Sequence, residues 1–263
     1  MRICFEVSYL GAHFFGSQQQ PFKRTVMGEI TRSLKELNLF ESEEDAKTAI
    51  SGRTDRGVSA RRQIIAFNTD YPERAVSASN KKLPPDIRFT GWSEVPDGFN
   101  PRFAAKTRTY RYYFPADTLG ISYSPERMKK AACLFKGKHD FSSFSRTEGK
   151  DPKREIISSE IITEPGFVIY EICGYSFLWN MVRCIAFCLE LAGKDELSFD
   201  EIKCALENPC GNRFPAAPPQ GLILWDVDCG VDFISMNIHE KSVVYSKDKI
   251  REYSQLKKIS EIW

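Results

Sequence analysis

The chain has 263 residues, of which 42% are hydrophobic, 13% aromatic and 27% charged, and its formal net charge is +2. This composition is typical of a globular protein and excludes disorder as the main state. The most apolar stretch, 177–192, contains Asn180, Arg183 and Glu190, so it is too polar for a membrane span of about 20 apolar residues. Because strand-like alternation begins directly after Met1, we expect no secretory leader and a cytoplasmic location.

The first half of the sequence predicts alternating strands and helices. Ile3, Phe5 and Val7 alternate with other residues, which indicates a half-buried strand. Thr25 is a candidate N-cap for a helix that runs to about Leu39. Three further elements follow, namely a strand at 63–68, a helix at 75–83 that stops before a proline, and a strand at 87–95.

The second half repeats that order. Ser124 and Pro125 mark the start of a helix that ends near Phe135, and the apolar residues 177–192 predict a long helix closed by glycine. Strands are predicted at 107–114, 156–163, 167–173 and 222–229. The polar tail at 240–263 has room for one more helix. Two such units predict an α+β protein of two similar domains, 1–105 and 106–263, whose sheets join with a cleft between them.

The eight cysteines form no C-x-x-C pair, and the three histidines lie far in sequence from any cysteine pair. A structural zinc site normally shows short paired spacings, so we expect no metal and free thiols in a reducing compartment. The sequence also lacks a G-x-x-x-x-G-K-[ST] loop, so we expect no nucleotide cofactor.

Charge is distributed unevenly along the chain. Residues 51–154 hold 21 Lys and Arg against 11 Asp and Glu, a net charge of +10, whereas the two flanks together carry −8. A concentrated positive field suits a polyanion such as nucleic acid, although a mixed solvated surface is an equally common reason for such a block.

The segment S-G-R-T-D-R-G-V-S-A (51–60) combines two glycines, two arginines and one carboxylate. Arg53 and Arg56 are able to hold phosphate groups beside Asp55. One interpretation is an aspartate that acts as nucleophile or general base beside a bound anion. The other is a turn in which the aspartate bonds its own backbone.

This loop resembles the G-R-T-D-x-G-V-x-A signature of the TruA family of tRNA pseudouridine synthases. Six further segments are similar to family segments in the same order: Y-L-G-A-H-F-F-G-S-Q-Q-Q (9–20), N-K-K-L-P-P-D-I-R (80–88), F-N-P-R-F-A-A-K-T-R-T-Y-R-Y (99–112), G-K-H-D-F-S-S-F (137–144), F-L-W-N-M-V-R (177–183) and A-P-P-Q-G-L-I-L (217–224). The resemblance spans residues 9–224 and implies the pseudouridine synthase fold, in which mainly antiparallel sheets of two similar α+β domains join around a central active-site cleft.

The resemblance also implies residue roles. Asp55 would be the catalytic aspartate, and Arg53 would pair with it and hold the flipped nucleotide. Tyr110 would lie against the target uracil and assist proton movement at C5. Arg183 would be a second active-site arginine, and Leu222 would pack against the base. From the residue types alone, Tyr110 equally fits a core aromatic, and the partner of Arg183 is a structural carboxylate, Asp55 or an RNA phosphate.

Further basic residues are candidates for RNA binding. Arg56 belongs to the loop, and Arg108, Lys81 and Lys82 belong to the basic block. Two positions depart from the family pattern, since many relatives have His at the place of Ser59 and often Ala at the place of Arg56. These two departures affect the expected conformation of the loop and the way it binds RNA.

By this resemblance the protein would be a homodimeric enzyme that converts uridine to pseudouridine in the anticodon stem-loop of tRNA, at positions 38–40, without metal or cofactor. The alternative is a non-catalytic RNA-binding protein with the same fold. A glycoside hydrolase or other acid–base enzyme would need two carboxylates across a cleft, and the loop offers only Asp55.

Overall fold

The computed structural model describes residues 1–116, 123–209 and 213–262. The chain folds into two compact units, Met1–Ala105 with Val227–Trp263, and Lys106–Asp226. The described residues form ten strands: β1 (Arg2–Tyr9), β2 (Ala49–Ile50), β3 (Ser59–Asn68), β4 (Ile87–Val95), β5 (Thr107–Pro115), β6 (Gly137–Asp140), β7 (Lys153–Glu164), β8 (Phe167–Gly174), β9 (Leu222–Asp228) and β10 (Ile234–Ser235). They also form eight α-helices: α1 (Val26–Glu36), α2 (Glu43–Ala46), α3 (Pro72–Lys82), α4 (Pro101–Ala104), α5 (Pro125–Cys133), α6 (Met181–Gly193), α7 (Phe199–Glu207) and α8 (Glu240–Ser260).

The first unit is built on the strand order β10-β4-β1-β3, with β2 also paired to β3, and these pairs are antiparallel. Phe5 stacks on Phe89 and Phe67 at ring-centroid distances of 4.5 and 5.6 Å, in the core of this unit. The Thr25 hydroxyl accepts a hydrogen bond from the Gly28 amide at 3.2 Å, so the predicted cap of α1 is confirmed.

The tail of the chain belongs to the first unit. Ile234 pairs with Trp92 of β4, and the amide of Asn80 donates to the Asn237 carbonyl at 3.0 Å. The sequence-based division put 106–263 into one domain, whereas in the structure Val227–Trp263 groups with the first unit. The tail contains the helix α8, as the sequence predicted.

The second unit has the strand order β9-β5-β8-β7-β6. Tyr110 and Tyr112 point to one face of β5 and are buried, as alternation predicted, while Tyr113 on the other face packs edge-on against Phe167. The Tyr170 hydroxyl, fully buried, shares a 2.9 Å hydrogen bond with Ser159. The mixed α+β class with mainly antiparallel pairing is therefore confirmed.

The helix α6 begins at Met181, not at residue 177 as the apolar run predicted. Asn180 has a φ of +63°, which is incompatible with a continuing right-handed helix. Residues 177–180 are consequently outside the helix. The interior of α6 follows the prediction, since Cys184, Ile185 and Cys188 are buried.

Some elements had no sequence prediction. The helix α7 starts with a capping box, in which Ser198 and Glu201 each bond the other's backbone amide, and this signal was present in the sequence. The strand β6 is short and pairs with β7.

The seven cysteines within the described residues are free thiols, whereas Cys210 lies outside those residues. Among the described helices, none has the length and apolar character that a membrane crossing requires.

Candidate active site

The loop between β2 and β3 is anchored by the buried Thr54. Its amide donates to the Ser17 hydroxyl at 2.8 Å, and its carbonyl accepts from the Ser17 amide at 3.1 Å. Its hydroxyl shares a 2.8 Å hydrogen bond with the Tyr9 hydroxyl. Since every polar group of Thr54 is bonded, the backbone at its neighbours Arg53 and Asp55 is fixed on both sides.

Two glycines give this loop its shape. The Val58 amide donates to the Asp55 carbonyl at 3.2 Å and closes a turn in which Gly57 has a φ of +83°. Gly16 has a φ of +97°, and a Cβ there would lie 2.9 Å from the Thr54 carbonyl oxygen. The backbone around Gly16 therefore approaches the loop more closely than any side chain would allow.

Asp55 is half-buried, whereas Arg53 and Arg56 are exposed. The Arg56 guanidinium lies over the Phe15 ring at 4.4 Å, and the Lys23 ammonium lies 4.7 Å from the same ring. Within the residues that the structure describes, neither arginine forms a salt bridge with Asp55. Both arginines are therefore exposed, and the Arg56 side chain packs over an aromatic ring of the preceding segment.

In the second unit, Tyr110 is buried in β5 opposite Ile172. Its ring packs edge-on against Phe177 at 5.1 Å. Arg108, two residues earlier on the same strand, donates a 3.1 Å hydrogen bond to the Tyr175 carbonyl. The segment that follows β8 therefore contacts both β5 candidates, and sequence reasoning had not assigned Phe177 a role.

Tyr112 connects β5 to the start of β9. Its hydroxyl donates to the Pro218 carbonyl at 3.0 Å, and burial raises the pKa of that hydroxyl to about 12. A Cβ on Gly221 would lie 2.7 Å from the Tyr112 ring. Tyr112 thereby fixes the turn from which the buried Leu222 begins its strand.

Arg183 lies in the first turn of α6 and is half-buried. Its Nε donates to the Ala217 carbonyl at 2.7 Å, and one terminal nitrogen donates to the Asn180 side-chain oxygen at 3.2 Å. The Ala217 amide donates to the Arg183 carbonyl at 3.0 Å. Sequence reasoning had named carboxylates and phosphates as partners, and the structure adds these two neutral oxygen acceptors.

Lys81 and Lys82 are at the carboxyl end of α3. The Lys82 ammonium lies 2.7 Å from a Glu36 carboxylate oxygen, and this hydrogen bond lowers the pKa of Glu36. The Lys81 carbonyl accepts a 2.6 Å hydrogen bond from the Lys241 ammonium, and Lys81 itself is exposed. Lys82 thus already has a carboxylate partner on α1.

The remaining candidates, His139, Phe141 and Phe144, make contacts typical of structural residues. His139 bonds the Lys136 carbonyl at 2.9 Å through Nε2 and packs edge-on against Phe141. Phe141 and Phe144 are fully buried, so their interpretation as core residues is confirmed. In the described part of the chain, no cluster of three or more His, Cys, Asp or Glu side chains is suited to hold a metal ion.

Comparison with known proteins identifies the family of this chain. Residues 131–228 match the family model described as tRNA pseudouridine synthase. Among similar proteins is tRNA pseudouridine synthase A of Methanoculleus marisnigri, 46% identical over 260 residues, which are 99% of this chain and 94% of the relative. The protein of that name from Methanosphaerula palustris is 45% identical over 233 residues, 89% and 82% of the two chains.

A third relative, tRNA pseudouridine synthase A of Thermococcus kodakarensis, is 40% identical over 230 residues, 87% of this chain and 85% of its own. Such identity over nearly the whole length agrees with the seven motifs and with the α+β fold. The chain belongs to the TruA family, tRNA pseudouridine synthase A.

Proposed function

We propose that this protein is a tRNA pseudouridine synthase that isomerises uridine in the anticodon stem-loop, at positions 38–40. Family membership supports pseudouridylation of tRNA. The observation that carries the proposal is Asp55, a half-buried carboxylate between two exposed arginines, in a loop anchored through Thr54.

The reaction breaks the N1–C1′ bond, turns the uracil and joins C5 to C1′. The C5 proton leaves and N1 gains a proton, so the reaction is an isomerisation. The protein must supply a carboxylate near the ribose and hold the freed base. Asp55 supplies the carboxylate, either by attack on C1′ or by removal of the C2′ proton.

The target nucleotide must leave its stack, which costs a few kcal/mol and costs least in loops. Arg53 and Arg56 hold the backbone of the extruded nucleotide, since both are exposed beside Asp55. Tyr110, buried against Phe177, lies against the uracil and assists proton movement at C5.

Leu222 packs against the base, and Arg183, held by Ala217 and Asn180, binds the substrate. Arg108, Lys81 and Lys82 contact phosphates outside the uracil pocket. Our proposal includes a homodimer, in which each tRNA touches both subunits, and a cytoplasmic location where the free thiols stay reduced.

Replacement of Asp55 by Asn tests the role of the carboxylate, because this change keeps the shape and removes the charge. We expect Asp55→Asn to retain less than about 1% of the tritium release from C5-labelled tRNA, since loss of such a group costs at least about 10²-fold. Binding of the tRNA should stay near that of wild type.

A wild-type protein that binds tRNA but releases no tritium would favour the non-catalytic RNA-binding alternative. Mapping of pseudouridine in tRNA from cells with and without the protein tests the positions. Loss of pseudouridine outside the anticodon arm alone would contradict the proposed target.

A further inference from the structure

The segment after β8 presents exposed aromatic side chains next to the proposed uracil-binding residues. Tyr175 and Trp179 are 52% and 42% exposed. Between them, Phe177 packs on Tyr110, and Asn180 bonds Arg183 at 3.2 Å. RNA that reaches Tyr110 and Arg183 therefore passes close to this segment.

Trp179 is held in place by Arg146. The two residues form an isolated antiparallel bridge, in which the Arg146 amide donates to the Trp179 carbonyl at 2.9 Å. The Arg146 guanidinium lies over the indole at 4.6 Å. We call Arg146 and Trp179 the aromatic platform.

Arg146 is exposed, and among the described residues it forms no salt bridge with a carboxylate. The stretch 146–154 contains four Lys and Arg against two Asp and Glu. An aromatic ring beside an exposed arginine is an arrangement by which proteins stack unpaired bases and bind their phosphates. The excess of basic over acidic residues in this stretch is complementary to the phosphates of RNA, so RNA is the partner that fits this surface.

We propose that an unpaired base of the tRNA loop, beside the target uridine, stacks on Trp179 while Arg146 binds a phosphate of the same strand. This inference rests on the proposed function, because it deepens how that RNA is held. The backbone bridge and the φ of +63° at Asn180 fix the ring relative to Arg183, so stacking there positions the strand.

Tyr71 and Arg74 provide a matched control pair. Tyr71 is 48% exposed, and Arg74 lies over its ring at 4.5 Å, so exposure and cation–π geometry resemble those of the aromatic platform. Asp70 and Glu73 lie near Tyr71 in the sequence, and their negative charges disfavour the binding of RNA phosphates there.

The experiment measures the affinity of the full-length protein for an unmodified tRNA transcript. We expect Trp179→Ala to weaken binding by about 5- to 150-fold, the range found for loss of one base–aromatic stack. Trp179→Phe should restore most of the affinity, and Tyr71→Ala should bind as wild type. Arg146→Ala, which removes an exposed guanidinium and its contact with the indole but keeps the backbone bridge, should weaken binding and flatten the dependence of log affinity on log salt by about one unit.

Tryptophan emission gives a second readout. Binding of tRNA should quench emission in the wild type, and Trp179→Phe should lose most of this quenching. The inference is wrong if Trp179→Ala and Arg146→Ala both bind tRNA as tightly as Tyr71→Ala does. If the wild-type protein releases tritium at the same time, the proposed function stays intact. A wild type that fails to bind tRNA overturns both. A Trp179→Ala protein that sediments as a monomer from a wild-type dimer, with unchanged affinity, assigns the platform to a second copy and overturns the inference.

Discussion

At the level of single residues, the position of Asp55 depends on its neighbour Thr54. Thr54 is buried and bonded through all of its polar groups to Ser17 and Tyr9, whereas Arg53 and Arg56 beside it are exposed. Buried polar groups that are fully satisfied hold one conformation. The loop therefore combines a rigid centre with two exposed arginines, of which Arg56 packs over Phe15.

Tyr112 predicts a dependence of stability on alkaline pH. Its pKa is raised from 10 to about 12 by burial, so between these values the unfolded chain loses the proton that the folded chain keeps. Stability from this group is fully present below pH 10 and is lost as the pH rises through about 12. The loss is about 2 to 3 kcal/mol.

Urea unfolding at about pH 8 and about pH 12 checks this sign, with Tyr112→Phe as the comparison. The variant should be less stable by about 1 kcal/mol at the lower pH, because it lacks the hydrogen bond to Pro218. It should also lose less stability than wild type at the higher pH. An equal alkaline loss in both proteins would contradict the assignment.

At the level of elements, the start of α6 positions several candidates. Asn180, whose backbone is left-handed, starts the helix later than the apolar run predicted, so Phe177 packs on Tyr110 and Trp179 stays 42% exposed. Arg183 then falls in the first helical turn. A continuous helix from residue 177 would have placed these side chains differently.

A side chain at position 16 is expected to strain the backbone and to lower turnover. Gly16→Ala puts a side chain on a residue with left-handed backbone and within 2.9 Å of the Thr54 carbonyl oxygen, so the loop that contains Asp55 must shift. We expect at least about a tenfold loss of turnover, because misplaced groups react poorly, together with reduced stability.

Gly98→Ala is the matched control. Gly98 has a similar φ of +83°, but no atom lies within 4 Å of its Cβ position. This variant should lose about 1 to 2 kcal/mol of stability from backbone strain and keep wild-type turnover. Tritium release and urea unfolding measure both quantities. Equal turnover in the two variants would show that the approach of Gly16 to Thr54 does not position the loop.

At the level of the whole molecule, the near-zero net charge conceals the basic block at 51–154. Each phosphate that a Lys or Arg neutralises releases counterions, so log affinity falls linearly with log salt. Lys81→Ala with Lys82→Ala should weaken tRNA binding and flatten that slope by about one to two units. The Lys82–Glu36 pair at 2.7 Å competes with RNA, so the smaller change is expected for Lys82.

Lys203→Ala is the control, since Lys203 is an exposed lysine outside the block and lies 3.6 Å from Asp200. Titrations of tRNA at several salt concentrations give the slopes. If the double variant matched Lys203→Ala in affinity and slope, the two lysines would be ordinary solvated charges.

The sequence by itself determined the features that depend on neighbouring residues. Alternation predicted β1 and β5, the Thr25 cap predicted α1, and the motif around Asp55 indicated the family to which the chain belongs. These signals are local, because a strand, a cap or a turn is specified by residues within a few positions of one another.

Only the tertiary structure decided the contacts between distant residues. Tyr112 bonds Pro218, 106 residues away, Lys82 pairs with Glu36, and Ile234 joins the sheet of the first unit. None of these pairings has a local pattern, because each depends on how packed elements bring surfaces together. The packing of Phe177 on Tyr110 and of Arg146 on Trp179 was decided in the same way.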